Sequence, residues 1–367
     1  NIGIGYRALQ SGTGAFNIAM GRQSLNGGGG SYNVAIGDQL GVAVASGANR
    51  NILIGYQSGL SLTTCDDVIA IGGNSLDTIT EGRISGSGTN LNSYGHIGIG
   101  GYALQKFQGL NLEQGNMCTA VGYRALATNV QGASNTAFGG NALRYLGNGQ
   151  TDVSKTGSVG NTAVGHGAMQ GGYSGSWDAT ETFRGDDNTA VGRLALHNLR
   201  GYASDKNTAI GLQAGDNITT GSNNTCIGAG SDASSATVTN EITLGDSNIS
   251  SLRCNDTSIS SLSDRRDKTD IVDLPAGLDF LNTLRPVKFK WQTRDGNGKD
   301  GLTRAGFIAQ DLQSAQTNHG YLDLVMDNNP DKLEAKQEHL VPVLVQAIKD
   351  LSAKNDALEA RIAALES

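Results

Sequence analysis

The residues whose chemistry could act on a bond stand together at 261–271, "SLSDRRDKTDI". Six of the seven residues after Ser263 are charged. The candidate nucleophile is a hydroxyl, and a serine hydroxyl attacks a carbonyl only once a base takes its proton. No Ser-His-Asp arrangement can be placed around Ser263 from the sequence, so it shows no conventional base. On spacing alone the stretch reads as a solvated, charged linker with an N-capping serine. What flanks it must decide.

Composition changes at that serine. Residues 1–262 hold 47 of the 53 glycines, none of the four prolines and 30 charged residues; residues 263–367 hold 6 glycines, all four prolines and 31 charged residues. A domain boundary is expected there, with a shaft over 1–250, a linker over 251–262, a small core over 263–337 and a terminal helix over 338–367. Net charge is mildly negative in both parts, with no basic stripe, so nucleic acid is not an expected partner. No apolar run approaches the roughly 20 residues of a membrane span. The chain begins at Asn1 inside a repeat, as a fragment would. Cys65, Cys118, Cys226 and Cys254 are far apart and lack metal-ligand spacing. They read as small buried hydrophobes of a chain assembled under reducing conditions, and neither metal nor cofactor is expected.

The glycine-rich part is an array. A five-residue unit ending in glycine recurs thirteen times, from "NIGIG" at Gly5 through "NTAVG" at Gly165 and Gly192 to "EITLG" at Gly245, most often 16–19 residues apart. Each unit predicts one short strand that cannot bury an apolar side alone, so units must stack. The absence of proline suits a ladder in which nearly every backbone N–H donates to a neighbouring rung. Closing glycines permit a positive φ or a close backbone approach. Aromatics are scarce, which leads to the expectation of several identical chains sharing one slender core of Ala, Val and Ile; a monomeric β-helix ranks second. The segment "CTAVGYRAL" (118–126) resembles the parallel β-roll and β-solenoid repeats of trimeric fibrous adhesins, such as bacterial autotransporter heads and phage tail-fibre shafts. That likeness implies a mainly β, trimeric Gly-rich solenoid ahead of a small α/β domain.

Spacings are long from Gly72 to Gly100, from Gly139 to Gly165 and from Gly165 to Gly192. Such excursions on a rigid scaffold are where binding resides. The third offers Tyr173, Trp177 and Phe183 beside Asp178, Asp186 and Asp187, a set suited to gripping a sugar. Tyr173 and Trp177 are the expected receptor contacts, against the alternative that the rings pin the loop to the shaft.

After Ser263 the sequence reads as mixed α/β. "PAGLDFLNTL" predicts a short helix with Leu278, Leu281 and Leu284 on one face, Pro275 in its first turn and Pro286 ending it. "VKFKW" and "LTRAGFIAQ" predict two strands of a hairpin around "RDGNGKDG". From Glu338 a helix carries a heptad seam: Val341, Ile348, Asn355 and Ile362 at one position, Leu344, Leu351, Leu358 and Leu365 at the other. β-Branched residues at a with leucine at d favour two strands by the usual preference, whereas the β-repeats favour three; three is expected, with Asn355 setting register.

Four stretches, "SDRRDKTDI" (263–271), "GLDFLNTLRPVKFKW" (277–291), "AGFIAQDL" (305–312) and "HLVPVLVQAIKDL" (339–351), resemble in order and spacing the C-terminal intramolecular chaperone domain of the S74 peptidase class, over all of 263–367. The resemblance implies that the domain gathers three chains, templates the fibre upstream and cuts itself off between Leu262 and Ser263. Ser263 and Lys268 match the family's serine and lysine, with Asp264 and Arg266 at the other matched positions. A lysine acts as base only when neutral; its reference pKa near 10.4 must fall by about three units, about 4 kcal/mol, to be half neutral at pH 7. Burial on trimer closure, beside Arg265 and Arg266, would supply that shift. The expected protein is a phage tail fibre of the virion, assembled in the host cytoplasm, with two further copies of itself and a host-cell surface receptor, polysaccharide or protein, as partners. A cellular trimeric adhesin using the same module is the alternative. An enzyme acting on host polysaccharide lacks a recognisable carboxylate pair.

Overall fold

The computed structural model describes residues 1–27, 30–41, 48–62, 65–81, 95–109, 117–129, 132–146, 158–171, 183, 185–201, 204–256, 259–294, 296 and 299–366. The chain divides into two compact units, 1–246 and 247–367.

All thirteen repeat units form strands, from Ile2–Ile4 to Ile242–Leu244, joined in sequence order into one 13-stranded sheet. Neighbouring strands are parallel and pair like with like, as in Thr136↔Thr162 and Ala137↔Ala163. The fold is therefore a β-solenoid with one strand of this sheet per turn. After every strand but the last the closing glycine takes φ near +130°, as Gly139 does at +137°. A Cβ at Gly139 would lie 2.6 Å from the carbonyl of Gly165 one rung on, so only glycine fits this corner.

A strand turns successive side chains to opposite faces. The middle residue, usually Ala, points inward and is buried, as Ala120, Ala137, Ala163, Ala190 and Ala209 are. The branched residue beside it must then point outward. This corrects the expected core: Ala of the strand packs with Leu of the following turn inside one chain, while Val and Ile of the strands stay outside. The single chain closes its own core because "RAL"-type turns fold the second apolar column back over the first. That fold has a local cost. Leu104, Leu126, Leu143 and Leu196 sit at φ +48° to +49°, a left-handed conformation costing about 1–2 kcal/mol per residue. Burying each leucine contributes about 1.5–3 kcal/mol, enough to offset it.

The first residue of the repeat is asparagine in nine of the thirteen units, and it forms a buried ladder. Asn188 Oδ1 accepts from the backbone N–H of Asn207 at 2.8 Å while its Nδ2 donates to the carbonyl of Ser204 at 2.9 Å. Asn161, Asn207 and Asn224 repeat the pattern. In two of the four units that lack the asparagine, the replacement does part of the same work. His96 Nδ1 accepts from the Cys118 N–H at 3.3 Å, and the Cys118 thiol donates to the Gly132 carbonyl at 3.3 Å.

In the second unit, helix α1 spans Leu278–Leu281, α2 Ala309–Ala315 and α3 Leu340–Glu366. Strands Val287–Lys290 and Thr303–Gly306 form the expected antiparallel hairpin. The second strand ends earlier than expected, because α2 begins within "FIAQ". The α1 face also differs: Phe280 is its buried residue, Leu278, Leu281 and Leu284 are half-buried, and Pro275 lies ahead of the helix. The core is small, with Phe280, Leu312, Leu324, Leu340 and Val343 at its centre. Among the described residues no helix is long and apolar enough to cross a membrane.

Candidate functional site

Ser263 and Lys268 meet. A short 3-10 turn, Arg265–Asp267, separates them, and it brings the chain round so that Lys268 Nζ donates to Ser263 Oγ at 2.5 Å. The turn's N-cap is Asp264, whose Oδ1 accepts from the Arg266 N–H at 2.9 Å. Ser263 is thus not the capping residue, and its hydroxyl is left to the lysine. The Asp264 carboxylate also pairs with the Arg266 guanidinium at 2.7 Å. That pairing, first by the side-chain hydrogen bond and then by the Arg266 N–H, holds the Asp264 carboxyl below the usual range. Arg266 therefore has a carboxylate partner of its own and is not the bare cation beside Lys268 that the sequence suggested.

Every residue from Leu262 to Ile271 is exposed in the single chain, and Leu262 shows 96 % of its surface. The bond Leu262–Ser263 thus adjoins the hydroxyl with no structure over it.

Residues 263–321 match the Peptidase_S74 family, described as chaperone of endosialidase. The match opens on Ser263, so the dyad heads the S74 segment and the hairpin and α2 lie inside it. It ends at Tyr321, so the stretch at 339–351, which the sequence resemblance included, lies beyond it. Comparison with curated proteins and with solved structures gives no significant match.

Beyond the S74 match, α3 carries two faces. Leu340, Val343 and Ala347 are buried against its own unit. The heptad residues Val341, Leu344, Ile348, Leu351, Leu358, Ile362 and Leu365 are 43–85 % exposed. Asn355 is exposed too and donates to Glu359 Oε1 at 2.9 Å along the helix. A contact that sequence reading missed anchors the helix: Asp350 Oδ2 accepts the Leu278 N–H at 2.9 Å, and its Oδ1 accepts from Gln346 at 2.8 Å. These bonds, the Leu278 one first, hold the Asp350 carboxyl below its usual range. A Cβ on Gly277 would collide with that carboxylate, which gives the glycine of "GLDFL" a reason the sequence alone does not show.

On the solenoid, Tyr173, Trp177 and Asp178 lie outside the described residues. Phe183 does not face solvent: it is fully buried and bridges in parallel to Leu146 and Gly201. Its ring is enclosed in the shaft's core and offers no surface to a receptor. Asp186 accepts the Val159 N–H at 2.7 Å, and burial pushes its carboxyl up from the usual range. Its oxygen belongs to a second column of rung-to-rung bonds, with Asp205 accepting from the Asp186 N–H at 2.9 Å. Of the cysteines, Cys65, Cys118 and Cys226 are buried as expected; Cys254, ahead of Ser263, is exposed, which corrects the expectation for it.

Proposed function

We propose that this chain is a homotrimeric β-solenoid fibre whose C-terminal unit is a self-cleaving intramolecular chaperone, and that the mature product is a phage tail-fibre shaft that contacts a host surface. The carrying observation is the Ser263 hydroxyl held on the Lys268 amine at the head of the S74 segment. Three chains are supported by the exposed heptad seam of α3 and by a core too slight for the unit's length.

The chemistry follows from the geometry. Lys268, once neutral, takes the Ser263 proton; Oγ attacks the Leu262 carbonyl carbon; the Ser263 nitrogen leaves as it gains the proton. The product is an ester between Leu262 and Ser263 Oγ with a free Ser263 α-amine. Water hydrolyses it, leaving a Leu262 carboxylate and restoring the hydroxyl. The single chain leaves Ser263 and Lys268 open to solvent, whereas acyl transfer needs a site from which water is excluded. Cleavage therefore waits for neighbouring copies to cover the dyad, which ties cutting to completed assembly. Departure of the cap removes the template for the reverse path and leaves the shaft kinetically trapped.

On a denaturing gel the unmutated chain is expected to release a fragment covering 263–367, and Ser263→Ala and Lys268→Ala are not. An unheated gel should show both variants as trimers. Full cutting by Lys268→Ala would refute the dyad.

A further inference from the structure

The outer face of the solenoid sheet is as organised as its interior. Each of the thirteen strands turns its first and third residues outward, two columns and twenty-six side chains in all. None of the twenty-six is buried and none is charged, although 27 Lys+Arg and 34 Asp+Glu occur in the chain. Twenty are apolar and six are threonine, the threonines forming the first column from Thr119 to Thr225. Val191 and Ile210 are typical, 37 % and 43 % exposed.

At about 4.8 Å per strand, thirteen rungs make a stripe about 60 Å long, and two columns about 7 Å apart with their side chains make it about 10 Å wide. That is about 600 Å² in projection, at the upper limit for the largest apolar patch of an ordinary monomer. It also approaches the roughly 800 Å² that one partner contributes to a stable interface. A flat, charge-free parallel sheet face of this length would aggregate if left open. The column beside it, next after the closing glycines, is mixed: Arg22 and Asp38 pair across rungs at 2.9 Å, His166 and Arg193 follow further on, and Tyr6, Tyr56 and Tyr123 are exposed in the same column. Tyrosine and arginine beside an apolar strip are residue types enriched at protein interfaces.

We infer that this stripe is the seam along which copies of the same shaft pack, in register and side by side, and that it holds the shaft together after the cap has gone. The occupant is a second copy because the stripe has the solenoid's own period: only another array of the same rungs presents apolar rows at every strand over the whole length. The core expected to be shared is thus divided in two, an Ala/Leu core inside each chain and a Val/Ile/Thr seam between chains. This deepens the trimeric reading but does not need the cleavage chemistry.

Two measurements on the full chain test it. In a Cys254→Ser background, Thr208→Cys, on the eleventh of the thirteen rungs of the stripe, should be joined to another chain by a short thiol-specific bifunctional linker. Gln213→Cys, on the exposed corner beyond the strand, should not. Equal linking at both positions, or none at Thr208→Cys, would overturn the seam; neither readout requires cutting, so failure of the dyad is seen separately on the gel. The double variant Val191→Lys/Ile210→Lys should keep its strand content by circular dichroism, and once the cap is removed at a protease site inserted ahead of Ser263, independently of self-cleavage, its sedimentation mass should fall to one third of the unmutated shaft's. An unchanged mass, or an unmutated released shaft that sediments as a soluble single chain, would mean that something else covers this face.

Discussion

Replacing His96 by asparagine should remove an acid sensitivity from the shaft. His96 stands where nine other units place asparagine, is fully buried, and accepts the Cys118 N–H with Nδ1. The neutral ring therefore keeps its proton on Nε2, and protonating Nδ1 would turn the acceptor into a donor facing a donor. Burial pushes the pKa down to about 4 from 6.5. The folded chain thus binds this proton more weakly than the unfolded one. Stability is fully present above pH 6.5, falls as pH drops through the window from 6.5 to about 4, and levels off below it. A shift of about 2.5 units corresponds to about 3 kcal/mol per chain. Asparagine does not titrate and fits the ladder, so His96→Asn should lack that loss. Denaturant midpoints of both chains at pH 7.5 and pH 4 give the comparison, since the carboxylates titrate alike in each and cancel. If the two pH dependences superimpose, the placement of His96 in the ladder is wrong.

Asn188→Ala strips the Asn207 N–H and the Ser204 carbonyl of their buried partners; at about 1–3 kcal/mol for each orphaned group, the denaturant midpoint should show about 2–6 kcal/mol lost per chain. Phe183→Ala empties the largest fully buried side chain of the solenoid, and about 3–5 kcal/mol should be lost on the same assay. Asp350→Ala removes the acceptor at the start of α1; amide exchange at Leu278 should speed up, and at low pH, where the Asp350 carboxyl is itself protonated, the variant and the unmutated chain should converge.

The strand positions were legible because glycine closes every unit and the backbone permits little else there. The solenoid core was misassigned even though the alternation that decides it was in the sequence: in "NTAVG" Ala and Val are neighbours and cannot both face one core. Overlooked was the turn, where "RAL" brings leucine inward through a left-handed backbone that propensity argues against for a non-glycine residue. The asparagine ladder left a visible signal, a fixed residue type at the first position, but its meaning needs the rung-to-rung register. Ser263 and Lys268 were legible only through their flanking motifs; the turn capped by Asp264 that joins them is a matter of backbone geometry. Asp350 left no local signal at all, because its partner, Leu278, is 72 positions away.

The second unit makes sense as a device that is incomplete alone. Its core takes Leu340 and Val343 from the first turns of α3, with Ala347 buried one turn on; past Asp350 and the Lys354–Asp279 contact at 3.5 Å, the seam residues of the helix stand in solvent. A helix end of that length without tertiary contacts is marginal in water, and in the proposed trimer pairing of the seam would stabilise it. The same helix supplies the carboxylate that caps α1, and α1 is reached from the dyad by only the stretch 269–277. Pairing the seam therefore steadies α3, α3 steadies α1, and α1 fixes one end of the segment that carries Lys268. A lone chain can bring hydroxyl and amine together, as it does here, yet it supplies neither a cover over the dyad nor a fixed frame for the proposed attack. On the proposed trimer both would come from the same event, the arrival of the other copies, and a cutting site this exposed is then compatible with a fibre that is cut only once it is built.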